Sequence, residues 1–99
     1  MYKLDFDLRA KKEFDKLGAT IRARFKKKLT ERLHNPRVDA DRLSDMLDCY
    51  KIKLRSDGYR MIYRVEDDVV VVFVIAITKR DSSKRDVYGV ASGRLGLLK

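Results

Sequence analysis

Positions 50 to 64 read Tyr50-Lys51-Ile52-Lys53-Leu54-Arg55-Ser56-Asp57-Gly58-Tyr59-Arg60-Met61-Ile62-Tyr63-Arg64. Cations alternate with apolar residues on both sides of Asp57-Gly58, the strongest hairpin signal in the chain. A two-residue turn there sets Leu54 opposite Met61, Ile52 opposite Tyr63 and Tyr50 opposite Val65. The other face then sets Arg55 against Arg60, Lys53 against Ile62 and Lys51 against Arg64. Like charges directly opposite one another weaken a sheet by roughly a few tenths to 1 kcal/mol per pair. Folding alone gives no reason to gather cations on one face; an anion in the groove does, although a plain solvated face is the bland alternative. Crowding also tunes chemistry, because a lysine among cations releases its proton more easily. Lys51 or Lys53 is therefore a candidate general base near neutral pH. The remaining cations would stabilise the extra charge of a pentavalent phosphorane.

The elements that must position this hairpin are few. Tyr2, Leu4 and Phe6 alternate with Lys3 and Asp5, which predicts a short strand over 2–6. Asp7 can cap a first helix carrying Leu8, Phe14 and Leu17, and Gly18 can end it. A second helix over 20–34 has the stripe Ile21, Phe25, Leu29, Leu33. Arg22, Arg24, Lys26, Lys27 and Lys28 occupy much of the rest of its surface, and Asn35-Pro36 stops it. The connector 37–48 holds one short helical turn near 41–47. A turn at Asp67-Asp68 leads into 69–78, apolar on both faces and so a central strand covered on both sides. Its register puts Val71, Phe73, Ile75 and Ile77 on the cationic face, where the C-terminal segment or a partner helix must cover them. The expected architecture is α+β: two N-terminal helices on one face of a small antiparallel sheet. The last residues form a short helix or a tail that orders on binding, and Gly93 and Gly96 make it a poor helix.

Composition narrows the rest. Ninety-nine residues allow one domain, 1–99. The one cysteine, Cys49, excludes an internal disulfide and suits a reducing compartment; the one histidine, His34, excludes a His–His metal pair. No metal or other cofactor is expected. The chain opens without a targeting signal and has no apolar run long enough for a membrane, so a cytoplasmic protein is expected. A net charge of +9 favours a polyanion, usually nucleic acid. Residues 19–38 carry seven cations and one acid, whereas 39–50 carry four acids and one cation.

At this level of detail the chain resembles the RelE family of bacterial toxins. The resemblance lies in Leu4-Asp5-Phe6-Asp7, Lys12-Glu13-Phe14-Asp15-Lys16-Leu17-Gly18, Lys26-Lys27-Lys28-Leu29 and above all Asp48-Cys49-Tyr50-Lys51-Ile52-Lys53-Leu54-Arg55. Gly58-Tyr59-Arg60 with Tyr63, Val71-Val72-Phe73-Val74-Ile75 and Lys79-Arg80 extend it over about residues 2–90. It implies a microbial-ribonuclease-like fold. The implied activity is endoribonuclease cleavage of messenger RNA in the ribosomal A site, by metal-independent attack of a ribose 2′-hydroxyl, which inhibits translation. It also implies an antitoxin partner of the RelB kind, wrapping the toxin and displacing or blocking the C-terminal segment. The catalytic positions it implies are Lys51, Lys53, Arg60, Arg80 and Tyr88. Lys51 or Lys53 would take the 2′-hydroxyl proton, with the other lysine and Arg60 on the phosphate. Arg80 would serve the transition state or the 5′-oxygen, and Tyr88 would stack on a base. Arg22, Arg24, Lys26, Lys27, Lys28, Arg55 and Arg64 would bind messenger or ribosomal RNA phosphates. Two stretches depart from the family pattern. The segment between Arg80 and Tyr88 is longer, and Leu43-Ser44-Asp45-Met46 stands where Leu-Arg-Gly is common.

Two rival functions remain. One is DNA gyrase inhibition, as in the ParE branch of the superfamily, against which Lys51, Lys53, Arg60 and Arg80 together argue. The other is a basic RNA-binding module without chemistry. Cys49 reads as a small core residue, His34 as an exposed residue at a helix end, and Tyr59 and Tyr63 as core. Asp39, Asp41, Asp45 and Asp48 lack metal-loop spacing and read as a solvated connector.

Overall fold

The first strand, β1 (Lys3–Phe6), finds its partner at the far end of the chain. The structure, a computed structural model, describes residues 1–79 and 87–97. After β1 come the helices α1 (Leu8–Asp15) and α2 (Ala19–His34), then the hairpin strands β2 (Cys49–Leu54) and β3 (Tyr59–Glu66). β4 (Val71–Lys79) and α3 (Val87–Leu97) complete the order. The sheet runs β1-β4-β3-β2. β2–β3–β4 is antiparallel as expected, but β1 lies parallel to β4, from Lys3 beside Val71 to Phe6 beside Val74. The sheet is therefore mixed. The hairpin signals prescribe only local antiparallel pairs, and parallel neighbours need a long crossover, supplied here by everything between β1 and β4.

Asp7 does cap α1: its Oδ1 accepts from the Arg9 N–H at 2.9 Å, and its carboxylate also takes the Arg9 guanidinium. Gly18 does not end this helix. It precedes α2 in an extended conformation (φ −63°, ψ 157°), and α1 stops at Asp15. Arg22 closes the junction by donating to the carbonyls of Leu17 at 2.6 Å and Asp15 at 3.3 Å. The buried face of this region is Ala10, Phe14 and Leu17, while Leu8 is 81% exposed because it is the first helical residue and points outward. In α2 the expected stripe holds, with Phe25 and Leu29 buried and Ile21 and Leu33 packed beside them. The connector's helical turn is a single 3₁₀ turn at Asp39–Asp41, earlier than 41–47.

Two cores result. Between the helices and the sheet lie Tyr50, Ile52, Leu54, Met61, Tyr63, Val65, Val72, Val74 and Ile77. On the opposite face Cys49, Ile62, Ile75 and Ala76 pack with Val87 and Ala91 of α3. β4 is thus covered on both sides, and the cover of the cationic face is the chain's own C-terminal helix. α3 forms in spite of Gly89, Gly93 and Gly96, because docking rather than propensity stabilises a short helix.

Within the first core the Tyr63 hydroxyl donates to the Pro36 carbonyl at 2.6 Å and accepts from Arg32 at 2.9 Å. Arg32 also reaches Asp41 at 2.5 Å and the Lys51 carbonyl at 3.2 Å. The helix, the connector and β2 are tied at one point. Tyr63→Phe leaves these partners without the hydroxyl and is expected to cost about 1–3 kcal/mol, read from the midpoint of urea unfolding.

Candidate active site

Lys51 and Lys53 alternate with the buried Ile52 and Leu54, and Arg60 and Arg64 with Met61 and Tyr63. All four cations lie on the α3 face of the sheet. The register that brings them together is not the expected one. Tyr50 stands opposite Tyr63, Ile52 opposite Met61 and Leu54 opposite Tyr59. The connection is the four-residue stretch Arg55-Ser56-Asp57-Gly58, with Gly58 at φ 75° and its N–H on the Leu54 carbonyl at 2.9 Å. A slip of two residues keeps every side chain on its face but changes its neighbour. Lys53 now faces Arg60, Lys51 faces Ile62 and Arg64 faces Cys49. One cationic pair replaces the two expected, and Arg55 leaves the strand for the turn.

A bulge between Ile62 and Tyr63 makes a second correction. Ile75 is the extra residue in β4, between Val74 opposite Tyr63 and Ala76 opposite Ile62. The alternation shifts there, so Phe73 and Ile75 belong to the cationic face but Ile77 turns to the helices.

Lys53, Leu54, Arg55, Gly58, Tyr59 and Arg60 line a cleft of about 270 Å³. Tyr59 is thus a half-buried cleft residue rather than pure core. A shallower groove of about 540 Å³ continues past Lys53 and Arg55 to Arg24 and Lys28 on α2. The hairpin and the basic helix share one cationic surface. The Lys51 charge, then burial and the charges of Arg60 and Arg55, hold the Lys53 ammonium below the ordinary lysine pKa. Of the two lysines, Lys53 is the one whose surroundings favour the neutral amine.

Other expected residues are spent elsewhere. Arg64 is ion-paired with Glu66 at 2.5 Å and lies over the Phe73 ring. Arg24 pairs with Asp57, and Arg22 caps α1. Lys26, Lys27 and Lys28 are exposed, which leaves α2 three solvent-facing lysines. Tyr88 packs on the Cys49–Ile62–Ile75–Ala76 cluster, placing it on the same sheet face as the lysines. Arg80 and most of the segment between it and Tyr88 lie outside the described residues. Cys49 is fully buried, and burial pushes its thiol up to about 11, as befits a core residue rather than a nucleophile. His34 is exposed at the end of α2. The connector acids serve ion pairs: Asp39 with Arg42, Asp41 with Arg32 and Asp48 with Arg37. Sequence reasoning missed Arg32, whose bond to the Lys51 carbonyl steadies β2 under the site. No motif announces a contact between positions 19 residues apart.

Residues 4–83 match the family described as ParE toxin of type II toxin-antitoxin system, parDE. The chain is also 56% identical over 94 residues to "mRNA interferase toxin RelE" of Escherichia coli K12, covering 95% of this chain and 97% of that protein. The chain belongs to the RelE/ParE toxin family, on its RelE side. Solved RelE structures share the fold. The isolated E. coli RelE toxin superimposes with a TM-score of 0.81 at 55% identity, over 96% of this chain and 99% of that one. RelE in the intact E. coli RelBE toxin-antitoxin complex gives 0.78 at 59% identity, over 80% and 96%. The family model carries the ParE description, whereas these near full-length relatives are RelE. That favours the RelE expectation over the gyrase-inhibiting alternative.

Proposed function

We propose that this RelE-family chain is the toxin of a type II toxin–antitoxin pair and an endoribonuclease that cuts messenger RNA in the ribosomal A site. The observation that carries the reading is the convergence of Lys51, Lys53 and Arg60 on one face, with the Lys53 ammonium destabilised by its neighbours. In the proposed reaction neutral Lys53 takes the proton of a ribose 2′-hydroxyl. The 2′-oxygen bonds to the adjacent phosphorus and the bond to the 5′-oxygen breaks. The leaving oxygen takes up a proton, with Arg80 the group nominated by resemblance. The products are a 2′,3′-cyclic phosphate and a 5′-hydroxyl end. Lys51 and Arg60 hold the phosphate and stabilise the extra negative charge of the phosphorane. Tyr88 orients a base. Lys26, Lys27, Lys28 and Arg55 supply phosphate contacts that bring the protein to the ribosome. A RelB-like protein is the natural antitoxin, in keeping with the E. coli RelBE complex. Among the described residues no helix is long and apolar enough to cross a membrane, and a ribosomal substrate places the activity in the cytoplasm.

The test compares free messenger RNA with the same RNA in a ribosomal complex whose A site is empty. Cutting is expected only on the ribosome, with a 2′,3′-cyclic phosphate at the new end. Binding to the ribosome without cutting would favour the non-catalytic RNA-binding reading. Inhibition of gyrase supercoiling without cutting would favour the ParE-like one.

A further inference from the structure

β1 ends before β4 does. The last partner pair is Phe6 beside Val74, and the outer edge of β4 continues past it. There two side chains take over from the missing strand. Glu13 of α1 accepts the Ile77 N–H at 3.1 Å, and Arg94 of α3 donates to the Ile75 carbonyl at 2.8 Å. The same two residues form a two-pronged ion pair, Nη1 to Oε1 and Nη2 to Oε2, both at 2.8 Å. Arg94 is only 8% exposed. α1 and α3 lie on opposite faces of the sheet, so this pair clasps them around the strand edge.

Charge-assisted, two-pronged bonds in a partly buried place are the strong and geometrically exacting kind. α3 needs such a tie. Its three glycines oppose helix formation, and of its described apolar side chains Val87 and Ala91 are buried while Tyr88, Val90 and Leu95 are only partly so. Six positions before Arg94, the same helix carries Tyr88 toward the cationic face.

We propose that Glu13 and Arg94 are a positioning pair for the reaction: by fixing α3 on the edge of β4 they hold Tyr88 in register with Lys51, Lys53 and Arg60. The proposal rests on the ribonuclease reading and on the place of Tyr88 in it. Neither residue touches RNA. They act through the helix, and a small displacement of a positioned group costs up to about a hundredfold in rate.

Glu13→Gln keeps the shape and loses the charge, and Arg94→Lys keeps the charge and loses the fork. Each is expected to lower single-turnover cleavage on the ribosome by about ten- to a hundredfold with unchanged ribosome affinity. In each, the amides of residues 87–97 should exchange with solvent faster while those of β2 and β3 stay protected. Tyr88→Ala supplies the decisive arm: in its background Glu13→Gln should cause little further loss, because both changes remove the same contribution. Full additivity of the two losses, or unaltered exchange in α3, would overturn the proposal. Loss of protection throughout the sheet would overturn it too, by making the pair a general stability element. If the unsubstituted protein fails to cut RNA on the ribosome, the ribonuclease reading falls; the exchange data then still decide whether the pair holds α3.

Discussion

Lys53→Ala is expected to slow cleavage of ribosome-bound messenger RNA by about a hundred- to ten-thousandfold, the usual contribution of a general base. Ribosome binding should change little, because the α2 lysines and Arg55, the proposed phosphate contacts, are all retained. The pH profile separates a base from a mere anchor. In the proposed reaction the neutral amine is the active form, so the rate should climb as pH rises toward the lowered Lys53 pKa and level off above it. Lys51 is the largest cause of that lowering and Arg55 a smaller one. Arg55→Gln removes positive charge, lets the Lys53 pKa rise, and should move the climbing limb to higher pH while the plateau survives. Lys51→Ala should move it further and also lower the plateau, because Lys51 is proposed to stabilise the phosphorane. A limb that stays in place in both variants would sink Lys53 as the base. Full activity in Lys53→Ala with none in Lys51→Ala would exchange the two roles.

Phe25→Ala should be the most damaging change outside the site. Phe25 is completely buried, midway along the α2 stripe and against the sheet core. Truncating such a residue costs about 3–5 kcal/mol in lost burial and cavity formation. Domains of this kind possess about 5–15 kcal/mol in total. Each kcal/mol lowers Tm by about 4–8 °C at this chain length. Thermal and urea unfolding of the variant therefore read the effect directly. By contrast, Lys27→Ala on the exposed face should stay within about 0.5 kcal/mol. A Phe25→Ala cost below about 1 kcal/mol would mean that α2 is not held by this stripe.

Much of the site was legible because the period of a strand is two. Once Lys51, Lys53, Arg60 and Arg64 are read as alternating with apolar residues, they must share a face, and the two-residue error in the turn could not separate them. Which cation stands against which was not legible, since that depends on a four-residue turn closed by Gly58 in the left-handed region. Nor was the fate of each charge. Arg22, Arg24 and Arg64 have the same composition signal as Lys26 or Lys53, yet ion pairs and a helix cap engage them.

The sequence by itself determined the element order 1–79, the stripe of α2, the double-sided burial of β4 and the shared face of the cations. All of these follow from periodicity and local caps, which act between residues close in the chain. Only the tertiary structure decided that β1 lies parallel to β4 and that Ile75 bulges, turning Ile77 away from the cationic face. It alone joined Arg32 to the Lys51 carbonyl and Glu13 to Arg94 across the strand edge. Those contacts link positions up to 81 residues apart. Their physical basis is the satisfaction of buried polar groups, a requirement that exists only once the chain has folded and water has left.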